Sequence, residues 1–181
     1  MNPQAQLNHF STLLLQWNQT HALSGAKNLA QIQTQIVDSV RVLDFVRPFQ
    51  SCLDIGSGAG FPGIPLAICC PHAHFILLEP NAKKMAFLHH VKTTLDLPNT
   101  TIKRMRVQDL PPMRVQLITS RALMGAQELM ALGAPFLELG GYFLLYKGSL
   151  LEQEIACLPH ECFYYGKRVY FYRQKESACV L

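Results

Sequence analysis

Asp54, Gly56, Gly58 and Gly60 fall at every second position after Ser51-Cys52-Leu53, a short apolar run that reads as a buried strand. Glycine is costly to order, so glycines this close together mark a sharp turn or a close approach of backbone to another group. Phe61-Pro62-Gly63 follows, and Ile64 to Cys69 reads as the opening turns of an apolar helix. Strand, glycine-rich turn and helix make the first unit of a nucleotide-binding α/β domain. There, bare backbone presses against a cofactor while the helix start offers free N–H groups. A tight β–α turn without a ligand is the plainer alternative.

Two cofactor classes compete for such a loop. The dinucleotide fingerprint G-x-G-x-x-G fails when counted from Gly56, because its third glycine falls on Phe61. Counted from Gly58 it succeeds through Gly60 and Gly63, but late and with Pro62 at the helix entry. An acidic residue followed by alternating glycines is in register, and it resembles motif I of the class I S-adenosylmethionine methyltransferases. The spacing therefore favours S-adenosylmethionine over NAD.

In a sheet of this kind ligands bind beyond the carboxyl ends of the strands, where strand order reverses. Glu79 follows the apolar run Phe75 to Leu78 and is placed to accept the ribose hydroxyls. Val107, Gln108 and Asp109 follow a third strand and would meet the adenine ring. Ser120-Arg121-Ala122 follows a fourth and Lys147-Gly148 a fifth. Methylation of an exocyclic amine calls for an acid or amide with prolines after the fourth strand, and Ser-Arg-Ala-Leu stands there instead. Methylation at a base carbon calls for a cysteine near the site; none falls at a strand end, and Cys157 and Cys162 stay open. Guanine N7 needs neither base nor nucleophile, because its lone pair is free, so alignment alone suffices. Arg121 and Lys147 would then position guanine O6 or a phosphate. The plain alternative for both is a structural or surface cation.

These residues need a scaffold, and the hydrophobic spacing supplies one. Leu7, Phe10, Leu13, Leu14 and Trp17 recur at helical intervals, and a second helix is expected from Leu29 to Val46. With no strand signal before Ser51, residues 1–49 are expected to form a helical cap and 50–181 the catalytic domain. Strands are expected at 51–55, 74–79, 100–105, 115–119 and 142–146, with helices at 82–95, 125–138 and 149–157 between or after them. Gly140-Gly141 is expected to turn into the fifth strand. The end reads as a hairpin, 162–172 and 177–181, turning through Arg173-Gln174-Lys175-Glu176. This alternation gives an α/β fold with a mostly parallel sheet, helices on both faces and a final antiparallel hairpin.

Composition sets the outer bounds. The 181 residues suit one domain plus at most an appendage, and 49% are hydrophobic, enough for a substantial core. No segment has the length of a membrane span and the N-terminus lacks a signal-peptide profile, so a cytoplasmic protein with six reduced cysteines is expected. Without a C-x-x-C pair no structural zinc is expected. The net charge of +4 is modest. Lysines and arginines cluster between Lys83 and Arg106 and again near Lys167, Arg168, Arg173 and Lys175, as a solvated face or an RNA footprint would.

Together these residues resemble a specific family, the bacterial small-subunit ribosomal RNA guanine-N7 methyltransferases, historically called glucose-inhibited division protein B. The likeness covers nearly the whole chain. It is carried by Trp17-Asn18, Ala22-Leu23-Ser24, Gln35-Ile36-Val37-Asp38-Ser39, the run Asp54 to Ala67, Lys83-Lys84 with Phe87-Leu88, Ser120-Arg121-Ala122 and Lys147-Gly148. The resemblance implies a class I S-adenosylmethionine-dependent, Rossmann-like fold with a seven-stranded sheet. It also implies cofactor contacts from Gly56, Phe61, Val107, Gln108 and Arg121. As methyl acceptor it implies a guanine in the decoding-region loop of 16S rRNA. The expected partner is that RNA within the small ribosomal subunit or an assembly intermediate, and a monomer is expected. Gln35 stands where the family usually has histidine, and Ala22, Glu79 and Gln108 replace asparagine, aspartate and glutamate. A non-catalytic RNA-binding module of the same fold and an NAD-dependent oxidoreductase are the competing expectations.

Overall fold

Asn2 caps helix α1 (Pro3–His21) by accepting the Ala5 N–H at 2.8 Å, and Pro3 occupies the first turn, where no N–H is needed. Asn28 caps α2 (Leu29–Val40) in the same way, through the Gln31 N–H. A 3-10 turn, Arg41–Asp44, carries that helix on towards the expected end at Val46. The computed structural model describes residues 2–121 and 123–176.

Strands and helices then alternate: β1 (Ser51–Ile55), α3 (Gly63–Cys69), β2 (His74–Leu78), α4 (Ala82–Thr94), β3 (Thr100–Lys103), β4 (Val115–Arg121), α5 (Ala126–Gly133) and β5 (Leu137–Lys147). A single helical turn, α6 (Leu151–Glu154), leads to β6 (Cys162–Tyr165) and β7 (Arg168–Gln174). The seven strands form one sheet in the order β3-β2-β1-β4-β5-β7-β6, with β7 antiparallel to both of its neighbours. The order reverses between β1 and β4, so their carboxyl ends frame the crevice where such sheets bind ligands.

One face of the sheet packs Phe10, Ile32, Ile64, Phe87 and Tyr146 into a cluster shared by α1 to α4. The other face is covered by Leu129, Met130 and Leu151 from α5 and α6. The N-terminal helices thus share the main core rather than closing one of their own. Among the described residues no helix is long and apolar enough to cross a membrane.

Three expectations are corrected. The helix expected to reach Glu138 stops at Gly133, because Pro135 cannot extend the ladder, and Leu137 already pairs with Val115. Gly140-Gly141 is an irregularity inside β5 rather than a turn before it: Gly140 has φ +78°, and a Cβ on Gly141 would lie 2.8 Å from the Gln116 carbonyl. The final hairpin turns at Gly166-Lys167, with Gly166 at φ +59°, whereas Arg173 and Gln174 pair with Phe143 and Tyr142 inside β7. The strand expected at 177–181 lies outside the described residues.

Candidate functional site

The glycine loop is tied down before any ligand is considered. Gly56 and Ser57 donate to the Leu78 carbonyl at 3.0 and 2.9 Å, which holds the loop against the end of β2. Gly56, Gly58 and Gly60 all have left-handed backbone, φ +75°, +58° and +95°, a conformation that side-chain-bearing residues rarely adopt. At Gly58 a Cβ would meet nothing nearer than the Gly56 carbonyl at 3.9 Å, so the backbone there borders open space. At Gly56 it would lie 2.8 Å from Leu123, which follows β4 and leans over the loop.

Two carboxylates anchor this turn from beneath. Glu79 accepts the Gly58 N–H with one oxygen and the Asn81 N–H with the other, each at 2.8 Å. It therefore binds the loop to the start of α4, and it remains almost buried. Asp54 is fully buried and accepts the Gly63 N–H through Oδ2 at 3.2 Å, while its Oδ1 has no partner. Burial pushes its carboxyl up to about 7, against the lowering effect of hydrogen bonding and of the Arg121 guanidinium.

Arg121 ends β4 and reaches across the crevice. Its guanidinium lies 4.5 Å over the Phe61 ring, donates to Gln35 Oε1 at 3.2 Å and sits 3.7 Å from Asp38 Oδ2. Asp38 is in turn gripped by Arg168 Nε at 2.8 Å and the Tyr170 hydroxyl at 2.9 Å. One polar chain therefore runs from α2 through the end of β4 to the glycine loop. Val107 is buried and Gln108 exposed in the short turn Val107–Asp109 beyond β3, on the same rim.

The expected site residues divide accordingly. Asp54, Gly56, Gly58, Gly60, Phe61, Glu79 and Arg121 are joined by the contacts above, and Val107 and Gln108 lie one strand beyond Glu79. Lys147 ends β5, next to β4, and its ammonium bonds the Met124 carbonyl and Glu154 Oε2, both at 2.6 Å. Glu154 also accepts the Ala126 N–H, so Lys147 clamps the segment after Arg121 to α6. Ala122 lies outside the described residues. Cys162 belongs to β6, three strands from Arg121, and its thiol is pushed up to about 12, chiefly by burial. A thiol held protonated there offers no nucleophile to the crevice. Among the described residues no cluster of His, Cys, Asp or Glu is arranged to hold a metal ion.

Sequence reasoning passed over Asp38, Arg168 and Tyr170 as neighbours of the site. The available signal was a lone carboxylate beside the buried Ile36 and Ser39 of α2, which must find a cation once the helix packs.

Known proteins resemble this chain over nearly its whole length. Residues 3–179 match the family model described as rRNA small subunit methyltransferase G. Ribosomal RNA small subunit methyltransferase G of Helicobacter bizzozeronii is 62% identical, over 96% of this chain and 98% of that protein. The protein of the same name from Helicobacter pylori (strain ATCC 700392 / 26695) is 51% identical, over 99% of this chain and 100% of its own. Among solved structures, the putative methyltransferase yhhF from Escherichia coli superposes with a TM-score of 0.59 at 14% identity, over 80% of this chain and 86% of that one.

Proposed function

The chain belongs to the rRNA small subunit methyltransferase G family, and on that premise we propose that it transfers a methyl group from S-adenosylmethionine to N7 of a guanine in the decoding-region loop of 16S rRNA. The fold is that of the class I methyltransferases and the cofactor is S-adenosylmethionine. We further assign the work to the cytoplasm, to the small ribosomal subunit as substrate and to a monomer.

The residues present suit this cofactor. When bound, S-adenosylmethionine supplies a methyl group on a positively charged sulfonium, already activated for transfer. Asp54 keeps an unpartnered buried oxygen beneath the loop, and a cationic ligand there would draw its carboxyl, held up to about 7 by burial, towards the ionised form. Glu79 spends one hydrogen bond per oxygen on backbone, which leaves lone pairs for two ribose hydroxyls. The open space at Gly58 lets bare backbone face the ligand. The Val107-Gln108 turn borders the adenine; the Gln108 amide oxygen can accept from its amino group.

On the acceptor side the chain needs to hold guanine, and it needs no base. Arg121 presents a guanidinium already oriented by Phe61, Gln35 and Asp38, suited to guanine O6 or a phosphate. Among the described residues Lys147, though buried, spends two of its three ammonium hydrogens on Met124 and Glu154, and the third is the one a phosphate would take. Fixing N7 in line with the methyl carbon is then the source of the rate enhancement. The observation that carries this reading is the convergence of Phe61 and Arg121 at the strand-order reversal.

The test is methyl transfer from labelled S-adenosylmethionine to small subunits, and to protein-free 16S rRNA, that lack the modification. A single labelled guanine, mapped by chemistry specific for N7-methylguanine, is expected. Arg121→Ala should lower turnover at least tenfold while S-adenosylhomocysteine affinity changes less; unchanged turnover removes Arg121 from the acceptor site. No label on either RNA, with the cofactor still bound, overturns the assigned substrate.

A further inference from the structure

The turn between β6 and β7 gathers an aromatic ring and cations on the same rim of the sheet as Arg121. Tyr165 ends β6, and Lys167 and Arg168 follow across Gly166. The guanidinium of Arg41, from the turn after α2, lies 4.5 Å from the centroid of the Tyr165 ring, yet Tyr165 remains 41% exposed. Lys167 is also exposed.

This turn is anchored to the site rather than hanging from it. The Tyr165 ring meets Tyr170 edge-on at 5.9 Å, and the Tyr170 hydroxyl bonds Asp38, the carboxylate beside Arg121. Arg168 bonds Asp38 as well and reaches the Lys147 carbonyl at 3.2 Å. The registers place Tyr165 opposite Arg168, Val169 opposite Lys147, and Tyr146 opposite Arg121. Tyr165 therefore stands three strands from Arg121, about 14 Å at the usual strand spacing. A few nucleotides of extended RNA span that distance.

We infer that Tyr165, Arg41 and Lys167 form a docking surface for single-stranded ribosomal RNA, on which Tyr165 stacks a base a few nucleotides from the methylated guanine. The inference rests on the RNA methyltransferase reading and deepens it. Every base has a π-face, so an exposed ring flanked by cations holds an unpaired strand whatever its sequence. Arg41 stiffens the ring, and Lys167 supplies charge for the adjoining phosphate. The carboxylate inside this network, Asp38, is paired with Arg168 and Arg121, so Arg41 and Lys167 are left to give the turn its positive charge, with Asp44 the acid on the same turn as Arg41.

Steady-state methyl transfer to small subunits and direct binding of protein-free 16S rRNA, both lacking the modification, test this together with S-adenosylhomocysteine affinity. Tyr165→Ala should raise KM for the subunit and Kd for the RNA about tenfold, the loss of one stacked base. Its kcat and S-adenosylhomocysteine affinity should match wild type, and Tyr165→Phe should restore both RNA constants. Lys167→Ala should reduce the salt dependence of RNA binding by about one phosphate contact. Wild-type transfer with unchanged KM and Kd in Tyr165→Ala overturns this inference alone. So does an equal loss of S-adenosylhomocysteine affinity, which would make Tyr165 structural. A KM defect on subunits that RNA binding does not share would assign the surface to a ribosomal protein instead. Failure of the wild-type protein to methylate either RNA overturns the functional reading, and this inference with it.

Discussion

Asp54 is a carboxylate with no exposure to water. Its carboxyl titrates near 7 in the folded chain against an ordinary value of 3.8, because full burial outweighs the N–H of Gly63 and the charge of Arg121. Between those two values the folded protein holds a proton that the unfolded chain has lost. Stability from this group is therefore fully present below about pH 4 and is lost as pH rises through 7, after which it is flat. Asn at this position can keep the Gly63 bond with its oxygen and place its amide nitrogen where the unpartnered oxygen now lies. Urea unfolding of the cofactor-free protein should show wild type losing more stability between pH 5 and pH 8 than Asp54→Asn does. Equal pH slopes would mean that Asp54 is ionised throughout, and its buried oxygen would then need another partner.

The strand–loop–helix unit does not hold the site by itself; the two N-terminal helices press on it from outside. Phe10 of α1 meets the Phe61 ring edge-on at 5.3 Å, and α2 supplies Gln35 and Asp38 to the guanidinium that covers Phe61 from the other direction. Phe61 is thereby fixed between a helix and a strand end. Phe10→Ala should cost about 3–5 kcal/mol of stability, the usual range for deleting a buried ring. It should also weaken S-adenosylhomocysteine binding several-fold by freeing Phe61. Leu14→Ala, in the same helix and equally buried, should destabilise comparably but leave the affinity nearly unchanged. Calorimetric binding beside urea titration separates the two effects, and equal affinity losses would reduce Phe10 to a core residue. The loop was legible in the sequence because alternating glycines after an apolar run carry their meaning locally. The element ends were not. A glycine pair inside an irregular strand, Gly140-Gly141, has the same composition as a turn, and Gly166 was masked by the strand-forming aromatics on either side. The partners of Arg121 were hidden for another reason: Asp38 and Gln35 reach it only once the crossovers have set the strand order.

At the scale of the molecule, the boundary near residue 49 separates topologies, and we propose that it does not separate folding units. On one face of the sheet Phe10 and Ile32 pack in the same cluster as Ile64, Phe87 and Tyr146. The Tyr146 hydroxyl, buried at the centre of this face, donates to the Ser39 carbonyl of α2 at 2.6 Å. Removing the two helices would bare the apolar face of α3 and α4, Ile64 and Phe87 included, and leave that hydroxyl without its acceptor. Both changes carry large penalties, because apolar exposure scales with area and an abandoned buried polar group costs its full desolvation. They also fall on the loop that must hold the cofactor. Residues 50–181 expressed alone should therefore show no cooperative urea transition and no binding of S-adenosylhomocysteine. Adding the 2–49 segment as a separate polypeptide should restore both in part, since the contacts it supplies are intermolecular in that case. A fragment that unfolds cooperatively and binds the cofactor without the helices would make them a lid on an independent domain, and would move their role from folding to the RNA side of the site.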